Sequence, residues 1–320
     1  MAGQSKLNSL AKYAWFTLGW NLLVILWGVF LRASKSGDGC GQHWLTCRGE
    51  VIPSAPELKA VIEYSHRITS FLAFVSVVVL VIWVYRRFAK GDAIRRTGLF
   101  SFIFVVTEAL VGAGLVLTGN TAETLTAARP FWMAGHLINT FILLAFLALT
   151  ARYASGGAAV SWNHGAKYKV AILIGAGAII IVGITGSIAA LSSMLFPADT
   201  IAAGLAQDLS PTSNVLLRLR LLHPISAILT SVFLIFLTGW FAKESGKARS
   251  VTKWSNVIAI LVLIQIAFGS VTLLMLAPIV MQLGHLFLAD AIWISYVMLV
   301  AGFLSQSSRN EVSLPDEAAA

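Results

Sequence analysis

Eight stretches of mostly apolar residues, near 13–32, 62–85, 98–118, 131–151, 168–191, 216–241, 254–276 and 281–304, constrain this chain more than any motif does. About twenty apolar residues on a helix cross the ~30 Å hydrocarbon core of a bilayer, where every backbone amide must be satisfied within its own segment. The predicted fold is therefore all-α: a polytopic membrane protein with eight transmembrane helices. The composition agrees, with 58% hydrophobic and 12% charged residues, more apolar surface than a soluble domain of this length needs. The first run lacks a small-residue cleavage site and reads as a retained anchor rather than a signal peptide.

A net charge of +9 could suggest a nucleic-acid partner, but the basic residues fall in alternate short connections. Arg86, Arg87, Lys90, Arg95 and Arg96 follow the second span, Arg152, Lys167 and Lys169 the fourth, and Lys243, Lys247, Arg249 and Lys253 the sixth. The other connections carry Asp38, Glu50 and Glu57, then Glu123, then Asp199 and Asp208. That alternation sets orientation in a membrane: no nucleic acid is expected, and both termini should lie in the cytoplasm. The segment 306–320 reads as a polar cytoplasmic tail.

The first long connection, 33–60, is then on the outer side and holds both cysteines, Cys40 and Cys47. An oxidising compartment and a short spacing favour a disulfide. A zinc site using His43, which lacks a convincing fourth ligand, and a pair of free thiols are the alternatives.

The chain also repeats. A shift of 157 carries His66 onto His223, and Gly112 of Val106-Thr107-Glu108-Ala109-Leu110-Val111-Gly112 onto Gly269 of Leu263-Ile264-Gln265-Ile266-Ala267-Phe268-Gly269. His136 and His285 open the fourth and eighth spans with an offset of 149, the outer connection between the seventh and eighth spans being shorter. Two pseudo-symmetric four-helix bundles follow, 1–155 and 156–305, related by an axis along the membrane normal. Glycines 112, 114 and 269 suit close helix packing. Each half holds two imidazoles at matching depth in apolar surroundings. Paired histidines on facing helices are how a bundle holds a haem iron. Copper or zinc sites usually recruit a carboxylate or thiolate that neither half supplies, and a lone histidine could simply bond a neighbouring helix. His43 and His164 lie in connections and read as surface residues.

The second span opens with Glu63-Tyr64-Ser65-His66-Arg67, whose ionisable members share one side of a helix. Each such side chain costs about 2.5–3.5 kcal/mol at the centre of a membrane helix, so a function is expected of them. The second half has Arg220, not an acid, three residues before its histidine. One pocket for chemistry and one for a resident cofactor would account for the divergence. Arg32, Arg67, Arg218 and Arg220 lie near the same face, where guanidinium forks could hold propionates or simply anchor at the interface. Glu108 and Asp290 are also buried by this reading; Asp290 lies on a different face from His285 and is not assigned.

The run Ser36-Gly37-Asp38-Gly39-Cys40-Gly41-Gln42-His43-Trp44-Leu45-Thr46-Cys47, the Glu63–Arg67 pentapeptide and the four placed histidines together resemble the haem A synthase family over nearly the whole chain. Asp38 and Leu45 depart from the expected apolar residue and proline. The resemblance implies oxidation of a methyl group on haem O to the formyl group of haem A, for terminal oxidases. It implies haem B as resident cofactor on His223 and His285, the substrate haem facing His66 and His136, Glu63 as the catalytic carboxylate, and a Cys40–Cys47 disulfide. Implied partners are haem O synthase, a terminal oxidase and an electron donor; the implied location is a bacterial-type cell (inner) membrane. Two hydroxylations of the methyl carbon would give a geminal diol that loses water to the aldehyde, with Glu63 taking a proton or stabilising positive charge. A dihaem cytochrome b that only carries electrons is the alternative, and a haem transporter or chaperone a third reading.

Overall fold

The structure, a computed structural model, describes residues 8–121 and 126–306. Of the polar tail, all but Gln306 lies outside the described residues, as does Glu123. Ten helices and no named strand occur among the described residues: α1 (Ser9–Ala33), α2 (Leu58–Arg87), α3 (Ala93–Leu117), α4 (Arg129–Ala154), α5 (Ala166–Leu195), α6 (Ile201–Leu209), α7 (Val215–Arg220), α8 (Leu222–Glu244), α9 (Arg249–Leu274) and α10 (Ile279–Leu304). With α7 and α8 taken as one span, eight segments are long and apolar enough to cross a membrane.

The helices run a few residues beyond the apolar limits because their ends are chemically suited to stop there. Asn8 caps α1, its side chain accepting from the Ala11 N–H at 2.8 Å. Arg86 and Arg87 close α2, where cations suit the exposed carbonyls.

Two features differ from a simple eight-span reading. The sixth span is interrupted at Leu221, between α7 and α8. Pro224 lacks the N–H that would bond the Arg220 carbonyl, so it belongs in a first turn and not a helix interior. The connection before α7 is also not all loop. Thr200 accepts from the Ala203 N–H at 3.1 Å and starts the short helix α6.

Helices α1 to α4 pack consecutively and close into a ring through an α1–α4 contact; α5, α8, α9 and α10 do the same through α5–α10. The rings meet where α4 touches α5 and α10, and where α1 touches α10. Trp293 of α10 donates to the Phe141 carbonyl of α4 at 2.6 Å and stacks on its ring. Tyr296 donates to the Ile172 carbonyl of α5 at 2.8 Å, over Gly175, where any side chain would collide with its ring. By contrast Phe71, Leu173, Leu229 and Phe236 are well exposed on the outer faces, as a lipid-facing belt requires. Asp290, buried in α10, has no hydrogen-bond partner for either oxygen among the described residues.

Candidate functional site

All four histidines sit within about two turns of the bundle end that carries the cysteine loop, a depth set by where each span begins. His223 is the second residue of α8, immediately after the break, and His285 lies in the second turn of α10. Their ring centroids are 6.1 Å apart and their planes are perpendicular. Two metal–nitrogen bonds of about 2 Å, plus roughly 1 Å from each nitrogen to its ring centre, add to about 6 Å. The pair therefore has the span to bracket one metal atom.

Glycines set this spacing. A Cβ on Gly186 of α5 would lie 2.9 Å from Cε1 of His223, and one on Gly269 of α9 would lie 2.7 Å from Cε1 of His285. Nδ1 of His223 faces the Thr185 hydroxyl at 3.4 Å, which leaves Nε2 for a ligand. Gln265 donates to the His285 carbonyl at 3.1 Å and has its amide nitrogen 3.4 Å from the His285 Nε2. Among the described residues no three His, Cys, Asp or Glu side chains converge on a metal-sized site. Two opposed imidazoles suit a macrocycle that brings its own equatorial ligands.

The first half repeats the plan with changes. His66 lies over Gly28 of α1, whose Cβ would come 3.0 Å from the His66 Cε1. It is within electrostatic reach of His136 on α4. Gly112, the counterpart of Gly269, has nothing within 4 Å of a Cβ, so His136 is not seated as His285 is. Instead the His136 Nδ1 stands 3.7 Å from the Glu108 carboxylate of α3. Asn139 and Thr140, on the turn after His136, each donate to Glu108 at 2.5 Å.

Above this pocket the cysteines form a disulfide, which removes the zinc and free-thiol readings. The loop turns tightly through Arg48 and Gly49, both at positive φ, with Cys47 and Glu50 exchanging backbone hydrogen bonds. Glu63 is 2% exposed. It accepts from the Cys40 N–H at 2.8 Å and pairs with Arg67. Arg67 in turn donates to the carbonyls of His43, Trp44 and Thr46, binding the loop to the head of α2. His43 itself is exposed, whereas His164 is half-buried against Phe303.

Of the four arginines considered for propionates, three are engaged by protein groups. Arg67 holds the loop, Arg218 donates to the Pro211 carbonyl and to Ser213, and Arg220 pairs with Asp208 at 2.5 Å and donates to the Gly204 carbonyl. Arg32 has no side-chain partner among the described residues and lies within electrostatic reach of the buried Arg129, which sequence reasoning passed over. Glu108 was legible as a buried carboxylate without a role, and Gln265 only as its aligned position in the repeat, each four residues before a matched glycine.

A family model described as "COX15-CtaA: Cytochrome oxidase assembly protein" matches residues 11–297. The chain is 40% identical over 302 residues to a Thermus thermophilus protein named protoheme IX farnesyltransferase, covering 94% of this chain and 50% of that protein. It therefore spans about half the length of that relative. It is 28% identical to the heme A synthase of Shouchella clausii over 251 residues, covering 78% of this chain and 81% of that one. With the heme A synthase of Halalkalibacterium halodurans it shares 35% identity over 127 residues, 40% and 42% of the two chains.

Proposed function

Since the chain belongs to the COX15-CtaA family of cytochrome oxidase assembly proteins and is similar to heme A synthases, we propose that it oxidises the methyl group of haem O to the formyl group of haem A. The observation that carries this reading is the His223–His285 pair at 6.1 Å, with His66 and His136 at the matching ends of α2 and α4 in the first half, where the disulfide loop donates to the buried Glu63 carboxylate of α2. The name of the Thermus relative describes a protein about twice as long, and prenyl transfer is not carried over.

In this proposal His223 and His285 hold haem B, and His66 and His136 face the substrate. When bound, the haem supplies one-electron redox chemistry that no side chain here offers. The chain's own contribution is placement and electrostatics. Thr185 fixes the His223 ring, and the glycines beneath the rings set how closely the helices approach. Glu63 already accepts hydrogen bonds at both oxygens, which favours stabilising positive charge at the methyl carbon over removing a proton. Arg32, beside Arg129, is the cation left to meet a propionate. The chain is a multi-pass membrane protein; the bacterial-type cell (inner) membrane, cytoplasmic termini, and haem O synthase and a terminal oxidase as partners belong to the proposal.

Chromatography of haems from cells making this protein with a haem O supply tests the reading. Haem A and its alcohol precursor are expected; haem B alone, with haem O unchanged, would indicate the dihaem electron carrier. Glu63→Gln should keep its haem B yet form at least tenfold less haem A, and full conversion would remove Glu63 from the chemistry.

A further inference from the structure

We propose that Glu108 is a positioning residue for His136, and that the Glu108/Gln265 difference gives the two halves ligands of unequal donor strength. The inference rests on the proposed haem ligation by the four histidines. The His136 Nδ1 is buried without a hydrogen-bond partner and stands 3.7 Å from the Glu108 Oε1. A small rotation of the ring brings it into bonding range.

The carboxylate is not free to wander. Thr140 donates to Oε1 and Asn139 to Oε2, each at 2.5 Å, and both belong to the helix that carries His136. Asn139 is fixed in turn: its Nδ2 donates to the Phe104 carbonyl at 2.9 Å and its Oδ1 accepts from Thr107 at 2.6 Å. The same Thr140 hydroxyl lies 2.8 Å from the His136 carbonyl, so one proton is shared between the carboxylate and that carbonyl. A network of this size holds one carboxylate oxygen toward one ring nitrogen.

A carboxylate at Nδ1 selects the tautomer protonated there, presents Nε2 to a metal and raises the basicity of the ligand. The shift of 157 places Gln265 at the equivalent position of the second half. Its neutral amide meets the other nitrogen of His285 and the His285 carbonyl. The first site thus has an anionic group beside the Nδ1 of its ligand, whereas the Nδ1 of His285 has no hydrogen-bond partner among the described residues. Stronger donation favours the oxidised metal, so the first-half haem should have the lower midpoint potential.

Two measurements on the full-length protein in detergent test this. Nitrogen-15 histidine spectra of the haem-free protein should show His136 protonated at Nδ1, with Glu108→Gln losing that signature and Glu108→Asp partly restoring it. An unchanged tautomer in Glu108→Gln overturns the proposal. Redox titration of the haem-loaded protein should show one component shifted to higher potential by Glu108→Gln, and the other shifted lower by Gln265→Glu. Equal insensitivity of both components also overturns it. Failure of the protein to bind any haem would refute the ligation reading, while the histidine spectra would still decide whether Glu108 orients His136.

Discussion

Arg67 shows why the charges at the head of α2 are shared out as they are. One guanidinium meets three loop carbonyls and the Glu63 carboxylate, which needs a planar fork and not a point charge. Arg67→Ala strands Glu63 as an unpaired buried carboxylate and is expected to cost about 3 kcal/mol. Arg67→Lys should recover only part of that, and proteolysis of the loop in detergent would rank the three proteins. That Glu63, His66 and Arg67 share a helix side follows from their spacing and could be read directly. The destination of Arg67 could not, because its acceptors are main-chain atoms more than twenty residues earlier, and no residue type advertises a carbonyl. The partner of Glu108 was hidden for a similar reason: the carboxylate meets His136 from a neighbouring helix, and only the fold brings them together.

Among the helices, the interruption at Leu221 is slight in backbone angle, φ −66° and ψ −22°, but it falls one turn before Pro224 and next to His223. Pro224→Ala restores a donor to the Arg220 carbonyl and should fuse α7 with α8, turning His223 away from His285. Weaker haem retention with unchanged or higher helix content is the expected outcome; unaltered retention would show that the break does not place the ring. Gly39 makes a comparable demand on the loop, because a Cβ there would run into the Lys59 backbone. Gly39→Ala should loosen the contact between loop and α2, seen as faster proteolysis between residues 34 and 57. Spans were legible from apolar length alone, since a bilayer leaves a chain few alternatives. The short helix α6 was not, because its Thr200 cap lies in a connection whose polarity suggests only a loop.

For the molecule as a whole, the offset of 157 made the duplication visible before any coordinates. It could not reveal that α4 and α10 meet between the rings, since lipid-facing and helix-facing apolar residues look alike in sequence. The Trp293–Phe141 hydrogen bond is one of the specific ties across that junction. Trp293→Phe should lower the stability of the intact chain by about 1 kcal/mol, measurable as a reduced unfolding midpoint in mixed micelles. Meanwhile the disulfide lies in the connection between α1 and α2, outside the helix–helix contacts that close the rings. Insertion and helix assembly can thus finish with both sulfurs still reduced, and the lid over the first pocket would be locked only afterwards. Maturation then has two clocks, one run by the bilayer and one by the supply of oxidant, and a cell short of the second would accumulate fully inserted protein that is not yet fit for work.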